Sequence, residues 1–495
     1  MNTRSFSISV STSHHTLVQV KDFQFPENRI VFLFGESGIG KSIVSKVVAG
    51  QLDPEGLDVT VNGETYADYL KKPVVRSGKE RGFFVFQEPS SHLDPTLTLR
   101  TQLNEGSLKA CPNDEDVLKQ LFQSASQADL GNILDIYPKP FRPSGGEKQR
   151  LLLSMAMKKI RLYQSTPEWK EALFVFDEPT GSLDNIQRNR FLSLLFAAFR
   201  KKPFTLLFIT HDYSLISEIN ANYSDLLKSV SFLEMARIHD TDSVISTFVP
   251  SDYTTWLDKL VPNTAENKAQ TPLFRMEPSF KIFGRSLTLV GPDKTNPIPL
   301  VIHPGEMVYV KAGSGVGKTT LAKIILGLYA ADQVSITLDG LTITEKKGRL
   351  FYEKEVWGKR AGMVFQHADE ALDLKSTVFE TFLGLIPGKI PPREEIKEYL
   401  AALFDSPIPD AFLNKKVQYL SGGQKQRLNL LRSFYGKPKL LILDEPLNGL
   451  DFESIRKVLD LLSKKQKEGC GLLLISHNEE IFDKAISADH LYYLK

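Results

Sequence analysis

Two segments of the chain have the residue spacing that handles phosphate groups: GESGIGKS from Gly35 to Ser42 and AGSGVGKT from Ala312 to Thr319. In a G-x-x-x-x-G-K-[ST] loop between a strand and a helix, consecutive backbone N–H groups and a helix N-terminus face the phosphates. The lysine adds a positive charge, and the hydroxyl suits Mg2+. Gly35, Gly40, Lys41 and Ser42 fit this pattern in full, with Glu36, Ser37, Gly38 and Ile39 between them. The second copy has Ala312 at the first glycine position, keeps Gly313, Ser314, Gly315, Val316, Gly317, Lys318 and Thr319, and is followed by Thr320. Further along, Asp177-Glu178 and Asp444-Glu445 each close a short apolar run. The first carboxylate of such a pair suits Mg2+, and the second suits polarising water for attack on a γ-phosphate. An isolated Asp-Glu is more often a pair of solvated turn carboxylates; downstream of an intact phosphate loop the catalytic reading gains weight. His211 and His477 follow the next apolar run in each case, which predicts a place on the same sheet edge.

The landmarks repeat in order, and this fixes the architecture that must position them. Lys41 and Lys318 are 277 residues apart, as are SGGEKQR from Ser144 and SGGQKQR from Ser421. VFQ ends at Gln87 and again at Gln366, an offset of 279, whereas Asp177 and Asp444 differ by 267. The shortfall predicts a surface insertion around 163–172 in the first half. Short, almost wholly apolar runs such as 174–176, 206–209, 440–443 and 472–475 predict strands buried on both faces of a parallel sheet. The runs at 29–34 and 306–311 each lead through a phosphate loop into a helical pattern. Both halves are therefore expected to be α/β, with carboxylates and histidines at the carboxyl edge where such sheets bind ligands. Residues 1–250 form the first domain, 251–272 an irregular linker punctuated by proline, and 273–495 the second domain. Ser144 and Ser421 are placed as N-caps of helices over 147–157 and 424–431, with Gly145, Gly146, Gly422 and Gly423 letting a phosphate approach the helix end.

Composition narrows the role. Lys+Arg 61 against Asp+Glu 59 leaves a net charge of +2, which offers no strongly basic surface for a phosphate backbone, and no nucleic-acid partner is expected. Cys111 and Cys470 are distant in sequence and predict reduced packing thiols of a cytoplasmic protein. No export signal is visible at the N-terminus, and no apolar stretch approaches the ~18 to 20 residues that span a bilayer. A membrane role would have to come through a partner.

Taken together, these residues resemble the nucleotide-binding domains of the ABC superfamily over nearly the whole chain. The resemblance implies two P-loop ATPase domains, each a mixed sheet core with a helical subdomain carrying the SGG signature, and it implies ATP and Mg2+ as ligands. It also implies composite sites in an intramolecular head-to-tail dimer. Lys41, Ser42, Gln87, Asp177, Glu178 and His211 would share one ATP with Ser421, Gly422 and Gly423. Lys318, Thr319, Gln366, Asp444, Glu445 and His477 would share the other with Ser144, Gly145 and Gly146. Asp184 and Asp451, in GSLD and NGLD, match the loop that links the two sites.

Departures from the family pattern are Pro143 where Leu420 keeps the usual residue, Ile43 where Thr320 keeps it, and Ala312. Pro143 and Ala312 fall in the same composite site, which is expected to turn over more slowly. The segments 86–99 and 365–378 look like the corresponding loops of oligopeptide, dipeptide and nickel importer ATPases. That likeness implies membrane permease subunits as partners, a solute-binding protein if the system imports, and a place on the inner face of the cell membrane. The competing class is a tandem ABC ATPase acting on ribosomes or another macromolecular complex, where a long charged helical linker is expected between the halves. Phe6 and Phe283 share the 277-residue offset, as adenine-stacking residues or strand-core residues both would.

Overall fold

Unbroken apolar runs set the centre of each domain, because a strand buried on both faces has no polar side to show. Ile30–Gly35 is buried along its whole length, as are Leu440–Asp444 and Gly471–Ile475. The computed structural model describes residues 3–110, 114–122, 130–131, 134–135, 144–237, 242–262, 271–313, 316–386 and 388–495. The chain divides into two units, Met1–Ser251 and Asp252–Lys495.

In the first unit the strands are β1 (Thr3–Ser11), β2 (Thr16–Pro26), β3 (Ile30–Gly35), β4 (Asp58–Val61) and β5 (Glu64–Thr65). They are followed by β6 (Phe83–Val85), β7 (Leu173–Asp177), β8 (Thr205–Ile209), β9 (Val230–Arg237) and β10 (Asp242–Thr247). They form one sheet in the order β5-β4-β1-β2-β10-β9-β3-β8-β7-β6. From β9 to β6 every neighbour is parallel, whereas β1 pairs antiparallel with β2 and β4, so the sheet is mixed as expected. The non-consecutive order β3-β8-β7-β6 brings the chain ends of strands far apart in sequence to one edge.

The second unit contains β11 (Phe274–Met276), β12 (Ser279–Ile282), β13 (Arg285–Val290), β14 (Leu300–Ile302), β15 (Met307–Lys311) and β16 (Ser335–Leu338). Its remaining strands are β17 (Leu341–Thr344), β18 (Ala361–Val364), β19 (Leu440–Asp444), β20 (Gly471–Ile475) and β21 (Leu491–Leu494). The order β12-β13-β21-β15-β20-β19-β18 repeats the β3-β8-β7-β6 pattern as β15-β20-β19-β18, and β14-β11-β16-β17 is a separate antiparallel sheet. Helices Arg393–Leu400 and Asp410–Asn414 precede the long Gly422–Tyr435 helix.

Two segments differ from the sequence expectation. The connector begins as a helix, Pro250–Asp258, that packs on the second unit: Tyr253 is fully buried, Tyr253 and Trp256 set their rings on Phe452, and the Tyr253 hydroxyl donates to Glu480 at 2.8 Å. Of the rest of that connector, residues 263–270 lie outside the described residues. The surplus of the first half is no simple surface insertion either. Its signature helix, Gly145–Ser165, has 21 residues against 14 in Gly422–Tyr435. Tyr163 is buried at 1 % exposure because its ring packs edge-on to Phe174 and its hydroxyl donates to Pro203 O. Lys202 Nζ then donates to the carbonyls of Tyr163, Thr166 and Trp169, which closes the following loop around one ammonium. Among the described residues, no helix is long and apolar enough to cross a membrane.

Candidate nucleotide-binding and hydrolytic site

In both units a central parallel strand runs straight into the phosphate loop and then a helix: β3 into Lys41–Val48, and β15 into Lys318–Ile325. Gly35, Gly38 and Gly40 all take left-handed φ values, 138°, 81° and 113°. That conformation turns successive N–H groups toward one side and is open to glycine at little cost. Gly317 does the same at 125°. Gly313 is exposed, Val316 and Thr320 are half-buried, and Ile39 is buried at 4 %; Ser314 and Gly315 lie outside the described residues. Lys41 is buried and its Nζ donates to the carbonyls of Gly35 (2.6 Å) and Glu36 (2.9 Å); Lys318 Nζ donates to Ala312 O at 2.8 Å. Each ammonium is held against the loop it belongs to.

The Asp-Glu pairs stand where β7 and β19 end. Asp177 is 2 % exposed, and burial pushes its carboxyl up to about 6 against the opposing hydrogen bond with Ser42. Asp444 is equally buried and likewise raised by burial, opposed by its bond with Thr319. Asp177 Oδ1 and Asp444 Oδ2 are buried and, among the described residues, have no hydrogen-bond partner, a costly arrangement for a carboxylate oxygen unless something else satisfies it. A hydroxyl beside an orphaned carboxylate oxygen is the hard oxygen donor set that Mg2+ takes. The residues therefore fit the ion: Ser42 with Asp177, and Thr319 with Asp444, would hold it, and it would supply charge neutralisation at bound phosphates.

Glu178 and Glu445 share an uncommon backbone, with φ of 48° and 50°. Each N–H donates across the sheet edge, Glu178 to Ile209 O at 3.1 Å and Glu445 to Ile475 O at 2.8 Å. A left-handed non-glycine residue at equivalent places in both units is the kind of strain that functional sites retain. The environments of the two carboxylates then part. Glu178 Oε2 lies 2.9 Å from His211 Nδ1; burial would raise its pKa, yet the charge and hydrogen bond of His211 hold it below the usual value. His211 is correspondingly raised: burial works against its charged form, and Glu178 outweighs it. His477 Nε2 stands 3.8 Å from Glu445 Oε1, and burial pushes Glu445 up to about 7 against hydrogen bonds from the His477 N–H and the Ser476 hydroxyl.

Gln87 and Gln366 occupy the bends after β6 and β18. Val85 pairs with Phe176 and Val364 with Leu443, so each glutamine is two residues past the strand pairing, as its Asp-Glu partner's glutamate is. Asp184 and Asp451 are N-caps, their carboxylates accepting from Gln187 N at 2.8 Å and Ser454 N at 2.7 Å. Ser144 and Ser421 cap the signature helices through reciprocal boxes with Glu147 and Gln424. Those boxes leave Gly145, Gly146, Gly422 and Gly423 in the first helical turn. Among the described residues, neither serine bonds to the phosphate loop of its own unit. Pro143 lies outside the described residues, as does Cys111. Phe6 is a core residue among Phe23, Phe25 and Tyr69, whereas Phe283 is 76 % exposed in a turn. Their shared offset therefore marks no common role.

Two ties went unread in the sequence. Gln149 Nε2 donates to Pro179 O at 2.8 Å and Gln426 Nε2 to Glu445 O at 3.3 Å, fastening each signature helix to the turn that carries the glutamate. Lys148 reaches Ser90 Oγ and Lys425 reaches Asp369 Oδ1, at 2.9 and 2.8 Å, so the same helix also grips the segment three residues past the VFQ glutamine. The signal available was the full repeat of K-Q-R after SGG at an unchanged offset.

A phosphate loop, an Asp-Glu pair and a histidine on one carboxyl edge, twice over in α/β domains, define a tandem ATPase of the P-loop class. The profile of the family described as ABC transporter matches residues 18–181 and 295–448, and the chain belongs to that family. It is similar to the glutathione import ATP-binding protein GsiA of Pectobacterium atrosepticum, 24 % identical over 93 % of this chain and 79 % of that protein. It is also similar to the peptidoglycan transport ATP-binding protein YejF of Agrobacterium fabrum, 26 % identical over 99 % of this chain and 90 % of that one. Among solved structures, an archaeal ribosome recycling factor in complex with a ribosomal stalk protein shares the fold, with a TM-score of 0.61, 18 % identity, and coverage of 96 % of this chain and 87 % of that one.

Proposed function

We propose that the chain is the ATP-binding and ATP-hydrolysing subunit of an ABC transporter, driving solute movement through separate membrane permease subunits. The observation that carries this reading is similarity to proteins named for import and transport across both halves rather than one. The importer-like spelling of the loops after Gln87 and Gln366 points to uptake of a peptide, metal or other small solute, with a solute-binding protein delivering it. The likeness to a ribosome recycling factor, at 18 % identity, speaks for the fold alone.

In this reading Lys41 and Lys318 hold phosphate charge, Ser42, Asp177, Gln87 and their counterparts Thr319, Asp444 and Gln366 hold Mg2+, and Glu178 and Glu445 orient and deprotonate the attacking water. His211 and His477 sit at the γ-phosphate. The SGG end of each half completes the site of the other, so that ATP draws the halves together and hydrolysis releases them, a movement passed to the permease on the cytoplasmic face.

Purification of the tagged full-length chain from its native cells, split between detergent-solubilised membranes and a ribosome pellet, tests the partner. Integral membrane permease subunits retained in stoichiometric amount are the expected result. Sedimentation with ribosomes and no permease in the membrane fraction would overturn the transport reading while leaving the ATPase assignment intact.

A further inference from the structure

Ser476, the last residue before His477, is 2 % exposed, and its environment leaves its hydroxyl proton one destination. Its Oγ accepts from the Asn478 N–H at 3.0 Å and from Asn478 Nδ2 at 3.4 Å, and donates to Glu445 Oε2 at 2.8 Å. Its backbone is pinned as well, since the Tyr309 hydroxyl donates to Ser476 O at 2.8 Å. Glu445 Oε2 takes a second bond from the His477 N–H at 3.0 Å, and the imidazole Nε2 is 3.8 Å from the other oxygen.

The first half solves the same problem differently. Thr210 occupies the matching position, equally buried; its Oγ1 accepts from the Asp212 N–H at 3.0 Å and makes no bond to Glu178. There the carboxylate is gripped by the His211 ring at 2.9 Å. Hydrogen bonds to an ionised carboxylate are among the stronger ones, and a base fixed before the reaction loses less on reaching its productive geometry.

We propose that Ser476 is the positioning residue for Glu445, holding the base of the second half by its hydroxyl where the first half uses the ring of His211. The inference rests on the hydrolytic reading above and goes beyond it in naming the group that orients one of the two bases. In a left-handed glutamate with one oxygen tied twice, the remaining oxygen Oε1 is the one presented to water, and removing the hydroxyl leaves the carboxylate held by the His477 N–H alone, with more freedom to turn.

The test is steady-state ATP hydrolysis by the full-length chain with Mg2+, comparing wild type, Glu445→Gln, Ser476→Ala and Ser476→Thr, with thermal midpoints measured alongside. The difference between wild type and Glu445→Gln defines the Glu445-dependent rate. Ser476→Ala is expected to lower that portion by about tenfold in kcat with KM for ATP within twofold, and Ser476→Thr, whose side chain the first half accommodates at this position, to restore at least half of it. An undiminished Glu445-dependent rate in Ser476→Ala overturns the inference. So does a Thr variant as slow as Ala with an equally lowered midpoint, which would make the hydroxyl structural. Wild type without ATPase activity, or Glu445→Gln indistinguishable from active wild type, would instead remove the hydrolytic reading of the second half and this inference with it.

Discussion

Gly35 and Ala312 stand at the same place in two loops of the same design, yet they are not interchangeable. At Gly35, with φ of 138°, an added Cβ would lie 2.4 Å from Met235 O in β9, closer than any carbon approaches a backbone oxygen. Ala312 lies outside the left-handed region. Gly35→Ala is therefore predicted to destabilise the first unit by about 2 kcal/mol or more, and Ala312→Gly to change the second by less than about 1 kcal/mol, both read from denaturant midpoints of the full-length chain. The glutamates proposed as bases, Glu178 and Glu445, supply a second prediction. Glu178→Gln and Glu445→Gln should each remove about 10² to 10⁴-fold of the turnover of the affected site. We expect Glu178→Gln to cost more of the total ATPase rate, since Ala312 and Pro143 depart from the family pattern and their site is proposed to be the slower; equal residual rates in the two variants would refute the asymmetry. Residue identity was largely legible in sequence here. Type and spacing placed Lys41, Ser42, Asp177, Glu178 and their counterparts at one strand edge, and there the structure brings them together. The left-handed backbone at Glu178 and Glu445 and the choice of His211 or Ser476 as anchor were not legible, since both depend on how strand ends are aligned.

At the scale of elements, the helix at the start of the second unit shows what a pattern search overlooks. Tyr253, Trp256 and Leu257 follow the i, i+3, i+4 spacing of a helix face, but the run is nine residues long, opens on Pro250 and stops before Pro262, too short for periodicity to stand out. Its packing makes it an anchor. Tyr253→Phe is predicted to cost about 1 to 2 kcal/mol through loss of the bond to Glu480. Tyr253→Ala should cost about 3 to 5 kcal/mol through the cavity left against Phe452. Both are to be measured on the unfolding transition of the second unit, and a Phe variant as stable as wild type would show that the hydroxyl contributes nothing. The signature helices were more legible, because a serine three residues before Glu147 or Gln424 is a local signal that local geometry satisfies. Their lengths were not: the first runs on to Ser165 since Tyr163 finds a buried seat against Phe174, a tertiary fact.

For the whole molecule, the repeat was the most readable feature, and it forecast two α/β domains; the strand crossovers they share emerged only in the fold. The exact division was less so, because the chain between the domains folds in part onto the second unit. The two halves differ in how they hold their glutamates, in their first loop position and in the length of the signature helix, so their sites are related in plan and distinct in detail. We propose that each SGG end completes the nucleotide site of the other half. It is tested most directly by paired cysteines in a chain carrying Cys111→Ser, Cys470→Ser, Glu178→Gln and Glu445→Gln, probed with a short bismaleimide. Ser37→Cys with Ser421→Cys is predicted to form an intramolecular crosslink when ATP and Mg2+ are present and not without them, whereas Ser37→Cys with Ser144→Cys should form none. A crosslink confined to the same-half pair, or none for Ser37 and Ser421 at saturating ATP, would contradict it.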